Sequence, residues 1–343
     1  MLAKEIQPDF PKDSPLAVTV FRGSCQMPHY HRDVFEFILC LSGRLQVRNM
    51  HEKHTLLPGD ILQADTYDIH TIDSKTAGEP AGPVAPTGSS EPAGSSGALP
   101  GLAASFHIDL RHPMFAGEGY QFLYYICSSD TASRVQAPLI HRIRSLLLAI
   151  LSNRLHSRRE QENIAMTKEL LQIMRQHFQY FDHININGGD VPSEMKDRFE
   201  RIMAYMLEHY DEKITMRGIC DREHMSYTYL SRFFKESSLK TFRNFLHELR
   251  VYHSEHLLLC HPELSVPDVG YQVGFSDPKF FYREFRKRYG HTPHQHRILY
   301  RVYNKSVSPD VRLDAGEHLP QIEARINDLF SRTFCELKGV GNI

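Results

Sequence analysis

Apolar residues follow two different periods along this chain, and the change of period divides it. From residue 18 to about 73 they alternate or gather in short runs broken by turn residues. Phe35-Glu36-Phe37-Ile38-Leu39-Cys40-Leu41 reads as a buried strand that ends at Ser42-Gly43. Leu45-Gln46-Val47-Arg48 alternates apolar and polar, the period of a half-exposed strand. Pro58-Gly59-Asp60 is a turn, after which Ile61-Leu62 resumes extended chain. Strand character returns at residues 104–108 and 122–126. Closely spaced strands and turns predict a sandwich or a small barrel.

Beyond Pro138 the period changes to three and four. Leu139, Ile143, Leu146, Leu147, Ile150 and Leu151 form one apolar face. That face serves either as core against the strands or as a self-association helix. Ile164, Leu170, Leu171, Met174 and Phe178 mark a second helix. Ile186-Asn187-Gly188-Gly189-Asp190-Val191-Pro192 breaks the pattern and predicts a linker over 186–196. A last amphipathic helix is predicted around Ile322, Ile326, Leu329, Phe330, Phe334 and Leu337. Residues 76–101, rich in Ala, Gly, Pro and Ser, predict a flexible insertion.

Between the linker and about residue 301 the same small helical unit occurs twice. Tyr229-Leu230-Ser231-Arg232-Phe233-Phe234-Lys235 is repeated as Phe280-Phe281-Tyr282-Arg283-Glu284-Phe285-Arg286. Leu230 and Phe234, and likewise Phe281 and Phe285, stand four apart and face inward. That leaves Tyr227, Thr228, Ser231, Arg232 and Lys235 outward in the first unit, and Pro278, Lys279, Tyr282, Arg283 and Arg286 on the outer side or first turn of the second. Tyr229 and Phe280 are expected to be packing residues. In the second unit Gly274 supplies a tight turn, Ser276 or Asp277 caps the next helix, and Pro278 suits its first turn. Ser226 caps the first. Arg bonds guanine in bidentate fashion, and Ser, Thr and Tyr bond phosphates or base edges. A single basic helix is as readily a solvated face. Two in register predict a protein that enters two stretches of DNA major groove.

Charge agrees with this. The formal net charge is only −1. Residues 226–301, however, hold 12 Lys/Arg and 7 Asp/Glu, an excess of +5 that leaves −6 for the remainder. A basic module joined to an acidic one suits a DNA-binding domain with a regulatory partner domain. The six cysteines have no paired spacing, so free thiols are expected, not a disulfide framework or zinc cluster. With neither an apolar run of membrane length nor a leader, a cytoplasmic location is expected.

The 197–300 segment resembles the AraC/XylS family of bacterial transcription regulators. The resemblance rests on Val273-Gly274-Phe275-Ser276-Asp277, Phe281, Phe285 and Tyr289-Gly290-His291-Thr292-Pro293, closing at Arg297. Upstream it rests on Ser226, Tyr229-Leu230-Ser231-Arg232, Phe234-Lys235 and the stretch 242–258 with Leu249-Arg250. Three positions depart from the family pattern: His224 where the second unit has Gly274, Glu223 where it has Val273, and Leu239 in place of a glycine. Gly270 stands where the family prefers alanine.

The strands resemble a cupin. Gly23, His29-x-His31, Glu36 and Gly43 follow the first cupin motif, and Gly59-Asp60 with His70 follow the second in part, since Asp65 and Tyr67 replace the usual proline and glycine. The two resemblances imply a multidomain α and β protein. Residues 1–185 would form a cupin-like β-barrel with helices that binds an effector and dimerises. Residues 197–300 would form an all-α domain with two helix-turn-helix units, followed by an extension over 301–343. The implied protein is no enzyme and needs no cofactor. Its partners would be double-stranded promoter DNA, a small-molecule effector with carbohydrate as the default, RNA polymerase and a second copy of itself, and no membrane. His29, His31, Glu36 and His70 would line the effector pocket, hold a metal such as iron, manganese, zinc or nickel, or have no role. The competing classes are a metal-dependent cupin enzyme using those four residues and a sugar-binding protein without DNA affinity.

Overall fold

The computed structural model describes residues 2–22, 28–49, 52–66, 68–73, 101–115, 129, 136–156, 159–178, 193–238, 240–304, 311–312 and 319–340. The expected strand at 122–126, nearly all of the insertion at 76–101, and the linker up to residue 192 lie outside these.

Among the described residues ten strands form two five-stranded sheets. One has the order β1 (Lys4–Glu5), β3 (His29–Tyr30), β8 (His70–Asp73), β5 (Leu45–Asn49), β6 (Glu52–Leu56). The other runs β10 (Val311–Arg312), β2 (Leu16–Arg22), β9 (Leu102–Asp109), β4 (Val34–Ser42), β7 (Ile61–Ala64). Among the described residues the two sheets are not hydrogen-bonded into a closed barrel.

Strand β4 shows why its sequence is apolar almost throughout. Phe35, Phe37, Leu39 and Leu41 point to one face and join a core with helix α1 (Ala137–His156), helix α2 (Glu160–His177) and helix α10 (Leu319–Val340). Ile38 and Cys40 point to the other face and meet Leu45, Val47, Leu56 and Ile72 of the first sheet. A strand covered on both faces needs no polar alternation. Glu36 is the exception, and by the same alternation it points between the sheets.

Helix α1 buries Ile140, Ile143, Leu146, Leu147, Leu148, Ile150 and Leu151 within the chain. Its apolar face is therefore covered within the chain. Helix α10 covers it: Ile322, Ile326 and Leu329 are buried there, and strand β10 pairs antiparallel with β2. The C-terminal segment thus returns to the N-terminal strands.

The rest is helical: α3 (Ser193–Glu208), α4 (Met216–Glu223), α5 (Tyr227–Ser238), α6 (Phe242–Cys260), α7 (Val266–Gln272), α8 (Pro278–Tyr289) and α9 (Pro293–Asn304). Helix α6 serves two cores. Its first half gives Phe242, Phe245, Leu246 and Leu249 to a cluster with Leu230, Phe233 and Phe234 of α5. Its second half gives Val251, Leu258 and Leu259 to a cluster with Phe281 and Phe285 of α8. Cys40, Cys220 and Cys260 are buried free thiols, as expected. No helix among the described residues is long and apolar enough to cross a membrane.

Candidate nucleic-acid interface and a buried histidine cluster

Each candidate reading helix starts on a side-chain cap. Asp277 accepts from the Lys279 backbone N–H at 2.8 Å, with Pro278 in the first turn of α8, and Ser226 Oγ accepts from the Tyr229 N–H at 3.3 Å before α5. These caps satisfy backbone donors that a helix start leaves unpaired. The preceding turns are built alike. The Met225 N–H donates to the Cys220 carbonyl and the Phe275 N–H to the Gly270 carbonyl, both at 2.9 Å. The turns are 50 residues apart and the caps 51, so Ser276 is one extra residue in the second unit.

His224, at the position of Gly274, nevertheless adopts the left-handed conformation the turn needs, with φ 53° and ψ 45°. The first unit keeps its turn despite the departure, at the conformational cost of a side chain in that region. Glu223 is explained too. Its side chain lies against α3 and pairs with Arg201 at 3.1 Å. Gly270 is required where it stands, because a Cβ there would lie 2.9 Å from the buried Phe281 ring.

Leu230, Phe234, Phe281 and Phe285 are buried as expected, and Phe233 joins them. Tyr227, Thr228, Ser231, Arg232, Lys235, Lys279, Arg283 and Arg286 are exposed, while Pro278 and Tyr282 are half-buried. Tyr229 and Phe280 differ from expectation. They are 37% and 44% exposed, so they belong to the outer faces and not to the core. Tyr229 stacks beside Phe233, and Arg283 lies over the Phe280 ring at 5.0 Å. Arg283 also donates to Glu284 through Nε and Nη2 at 2.9 and 2.7 Å. Arg297 has an internal role: its guanidinium donates to the Leu258 and His261 carbonyls at the end of α6, which a helix C-terminus otherwise leaves unsatisfied.

The N-terminal sheets bring His29, His31, Glu36 and His70 together. All four are buried, and one potential ligand atom from each lies within 4.8 Å of the others. Cross-strand register does this. His29 faces His70 between β3 and β8, and Glu36 faces His107 between β4 and β9. His107 is the member that motif spacing missed; only strand alternation from Ser105 could have placed it on the inner face. Its Nε2 is 3.4 Å from Glu36 Oε1, while His31 and His70 Nε2 are 3.1 and 2.8 Å from Oε2.

Burial pushes the Glu36 carboxyl up, but the charges of His107 and His70, with hydrogen bonds from His107 and His31, outweigh it and hold Glu36 well below the usual carboxylate range. Burial opposes protonation of His70, yet Glu36 raises its pKa above the ordinary value. At His107 burial prevails and the pKa falls. The cluster is therefore an anion enclosed by imidazoles. The His70 contact has the distance for charge attraction but lacks hydrogen-bond alignment.

Residues 219–298 match the model of a helix-turn-helix domain. The uncharacterized HTH-type transcriptional regulator YdeC of Bacillus subtilis (strain 168) is 34% identical over 96 residues, covering 28% of this chain and 33% of that protein. The HTH-type transcriptional activator RhaS of Escherichia coli O1:K1 / APEC is 30% identical over 96 residues, covering 28% of this chain and 34% of that protein. The chain thus spans about a third of the length of the curated relatives it matches. Among solved structures, ToxT from Vibrio cholerae O395 is similar at a TM-score of 0.40 with 10% identity, covering 83% of this chain and 98% of that one. The matching segment is thus similar to a helix-turn-helix domain and to the corresponding part of HTH-type transcriptional regulators.

Proposed function

We propose that the chain is a sequence-specific, DNA-binding transcription regulator of the AraC/XylS type, with α5 and α8 as its two reading helices. The observation that carries this is the pair of capped helices, each buried on one side by aromatic and aliphatic residues and each exposing Arg, Lys and hydroxyl side chains on the other. Both are packed on α6, so their mutual placement is fixed by one rigid element, as entry into successive grooves requires. Arg232, Lys235, Lys279, Arg283 and Arg286 supply phosphate and base contacts, and the exposed rings of Tyr227, Tyr229 and Phe280 supply apolar ones.

The N-terminal sheets form a cupin-like sensor in this reading. An effector binds there and shifts the arrangement of the sheets and the helical domain, which requires different effector affinity in the two arrangements. The protein acts in the cytoplasm, on promoter DNA, as a homodimer that meets RNA polymerase, without catalysis. Genomic binding-site mapping followed by titration of a recovered site tests the reading. Specific binding that weakens steeply with salt supports it. Equal affinity for all duplexes, or none, overturns it.

A further inference from the structure

The two helix-turn-helix units keep separate cores. Among the described residues, the cluster around Leu230 and Phe234 contains none from α7, α8 or α9, and the cluster around Phe281 and Phe285 contains none from α4 or α5. Tyr210 borders both clusters, and α6 runs through both. The change from one core to the other falls within a single turn of α6: Leu249 is buried in the first and Val251 in the second. Apolar packing therefore seats each unit on its own half of α6. The angle between the units is left to whatever spans the junction.

Two charged side chains of α6 span it. Arg250 donates through Nε to the Tyr210 carbonyl at 2.7 Å and through Nη2 to the Glu212 carbonyl at 2.8 Å, both ahead of α4. Its guanidinium also lies 5.8 Å from the ring centroid of Phe275, in the turn before α8. Glu248 makes the second bridge. Its Oε2 accepts from Nζ of Lys240, two residues past the end of α5, and its Oε1 accepts at 3.1 Å from Nη1 of Arg288, in the last turn of α8. One carboxylate is thus shared by the far ends of both reading helices. The pair is sheltered, Arg288 and Glu248 being 16% and 26% exposed.

The two bridges stand on different sides of the helix. Successive residues of an α-helix turn by about 100°, so positions 248 and 250 point nearly opposite ways. A bridge at Arg250 alone is a hinge, free to open on the far side of α6. Glu248 closes that far side. Without its charge the Lys240 and Arg288 cations would face each other and repel. One turn on, the Tyr252 hydroxyl donates to the Asp68 carboxylate at 2.7 Å and holds this stretch of α6 on the first sheet.

We propose that Glu248 is a positioning residue that fixes the separation and relative twist of α5 and α8, and with them the spacing between the two stretches of DNA sequence that the protein accepts. The bracing of the two units stands on the contacts above; the spacing of DNA sites rests on the regulator reading.

The test uses the full chain and Glu248→Gln. An amide oxygen accepts, but the amide nitrogen only donates, so glutamine keeps at most one of the two cations. A partly exposed ion pair contributes little to stability, so the variant should fold. Arg288→Gln is the substitute where it does not. On a mapped DNA site, one base pair inserted between the two contacted stretches displaces the second by about 3.4 Å and turns it by about 35°. The unaltered protein should lose affinity at least about 20-fold on insertion and Glu248→Gln less than about 5-fold. The ratio cancels any uniform gain from the lost negative charge. Spin labels on ketone-bearing residues at the exposed positions Arg217 of α4 and Gln272 of α7 report the same brace without DNA. Glu248→Gln should widen their distance distribution at least about 2-fold. An unchanged width overturns the brace. A wider distribution with an undiminished insertion penalty, or an unaltered protein that tolerates the insertion, overturns the control of spacing. A wider distribution in a protein that binds no specific DNA overturns the regulator reading and leaves the brace upheld.

Discussion

Gly274 lies directly against the backbone of Asp211: a Cβ on Gly274 would stand 2.6 Å from the Asp211 carbonyl oxygen. The glycine also has φ +90°, and the Arg250 guanidinium that donates to the Tyr210 and Glu212 carbonyls closes the third side. The turn of the second unit is thus clamped to the loop before α4. Gly274→Ala should cost at least about 1–3 kcal/mol, the price of strained backbone before the steric clash is added. Urea unfolding measures it. A loss below about 0.5 kcal/mol would show that the 210–212 loop yields.

The opposite change is informative in the first turn. His224 holds a left-handed conformation that costs a side chain roughly 1–2 kcal/mol. His224→Gly should stabilise the protein by a few tenths to about 1 kcal/mol, since glycine's greater freedom when unfolded offsets part of the relief. A destabilised variant would mean that the imidazole makes a contact worth more than the strain.

Glu255 of α6 should be the most sensitive polar residue of the helical domain. It is buried, pairs with His296 of α9 at 2.7 Å and accepts from the Tyr289 hydroxyl of α8 at 3.1 Å. Removing one partner of a buried pair strands the other, so Glu255→Ala should cost about 3–5 kcal/mol. Tyr289→Phe removes one hydrogen bond and should cost about 1–3 kcal/mol. Comparable losses in the two variants would argue that Glu255 matters only through the tyrosine.

Arg283→Ala should weaken specific DNA binding by about 1–3 kcal/mol if the guanidinium reads a base. It must first leave Glu284, to which Nε and Nη2 donate. Glu284→Gln should therefore raise affinity at low salt. Band-shift titrations on matched and mismatched sites separate the outcomes: an equal loss on every sequence makes Arg283 a phosphate contact, and an unchanged constant removes it from the interface.

Acid should loosen the helical domain through α6. Burial, with the nearby His261 and Arg32 charges, brings His256 down to about 4 despite Glu5 and Glu255. Burial and then His256 bring His253, stacked on Tyr210, down to about 3. Both bind protons more weakly when folded. The unfolded chain therefore gains protons first, and stability present above about pH 6.5 is lost as pH falls toward 4. Denaturant midpoints between pH 7.5 and 4.5 test this. His256→Gln should flatten the acid side of the curve, and an unaltered slope would remove His256 as its source.

Much of the helical domain was legible because its signals are local. Caps at Ser226 and Asp277 and the inward pairs Leu230/Phe234 and Phe281/Phe285 are set within one helical turn. Tyr229 and Phe280 depart from the expected packing role because each stands one position before a buried residue, Leu230 or Phe281, and helix phase turns both outward. Glu223 could not be interpreted without Arg201, which lies on a helix 22 positions earlier. In the sheets, motif spacing found His29, His31, Glu36 and His70 but not His107, because register between β4 and β9 is non-local. The Tyr252–Asp68 bond spans 184 residues and leaves no trace in periodicity.

The return of β10 and α10 to the N-terminal sheets has a topological consequence. The two helix-turn-helix units are not an appendage hanging from a single tether; they are an insertion held at both ends by the body that precedes and follows them. A break in the chain after α9 would leave the reading helices intact and strip Ile322, Ile326 and Leu329 from the outer face of α1. Truncation there is expected to injure the sheets first, and the DNA-binding helices only in their wake.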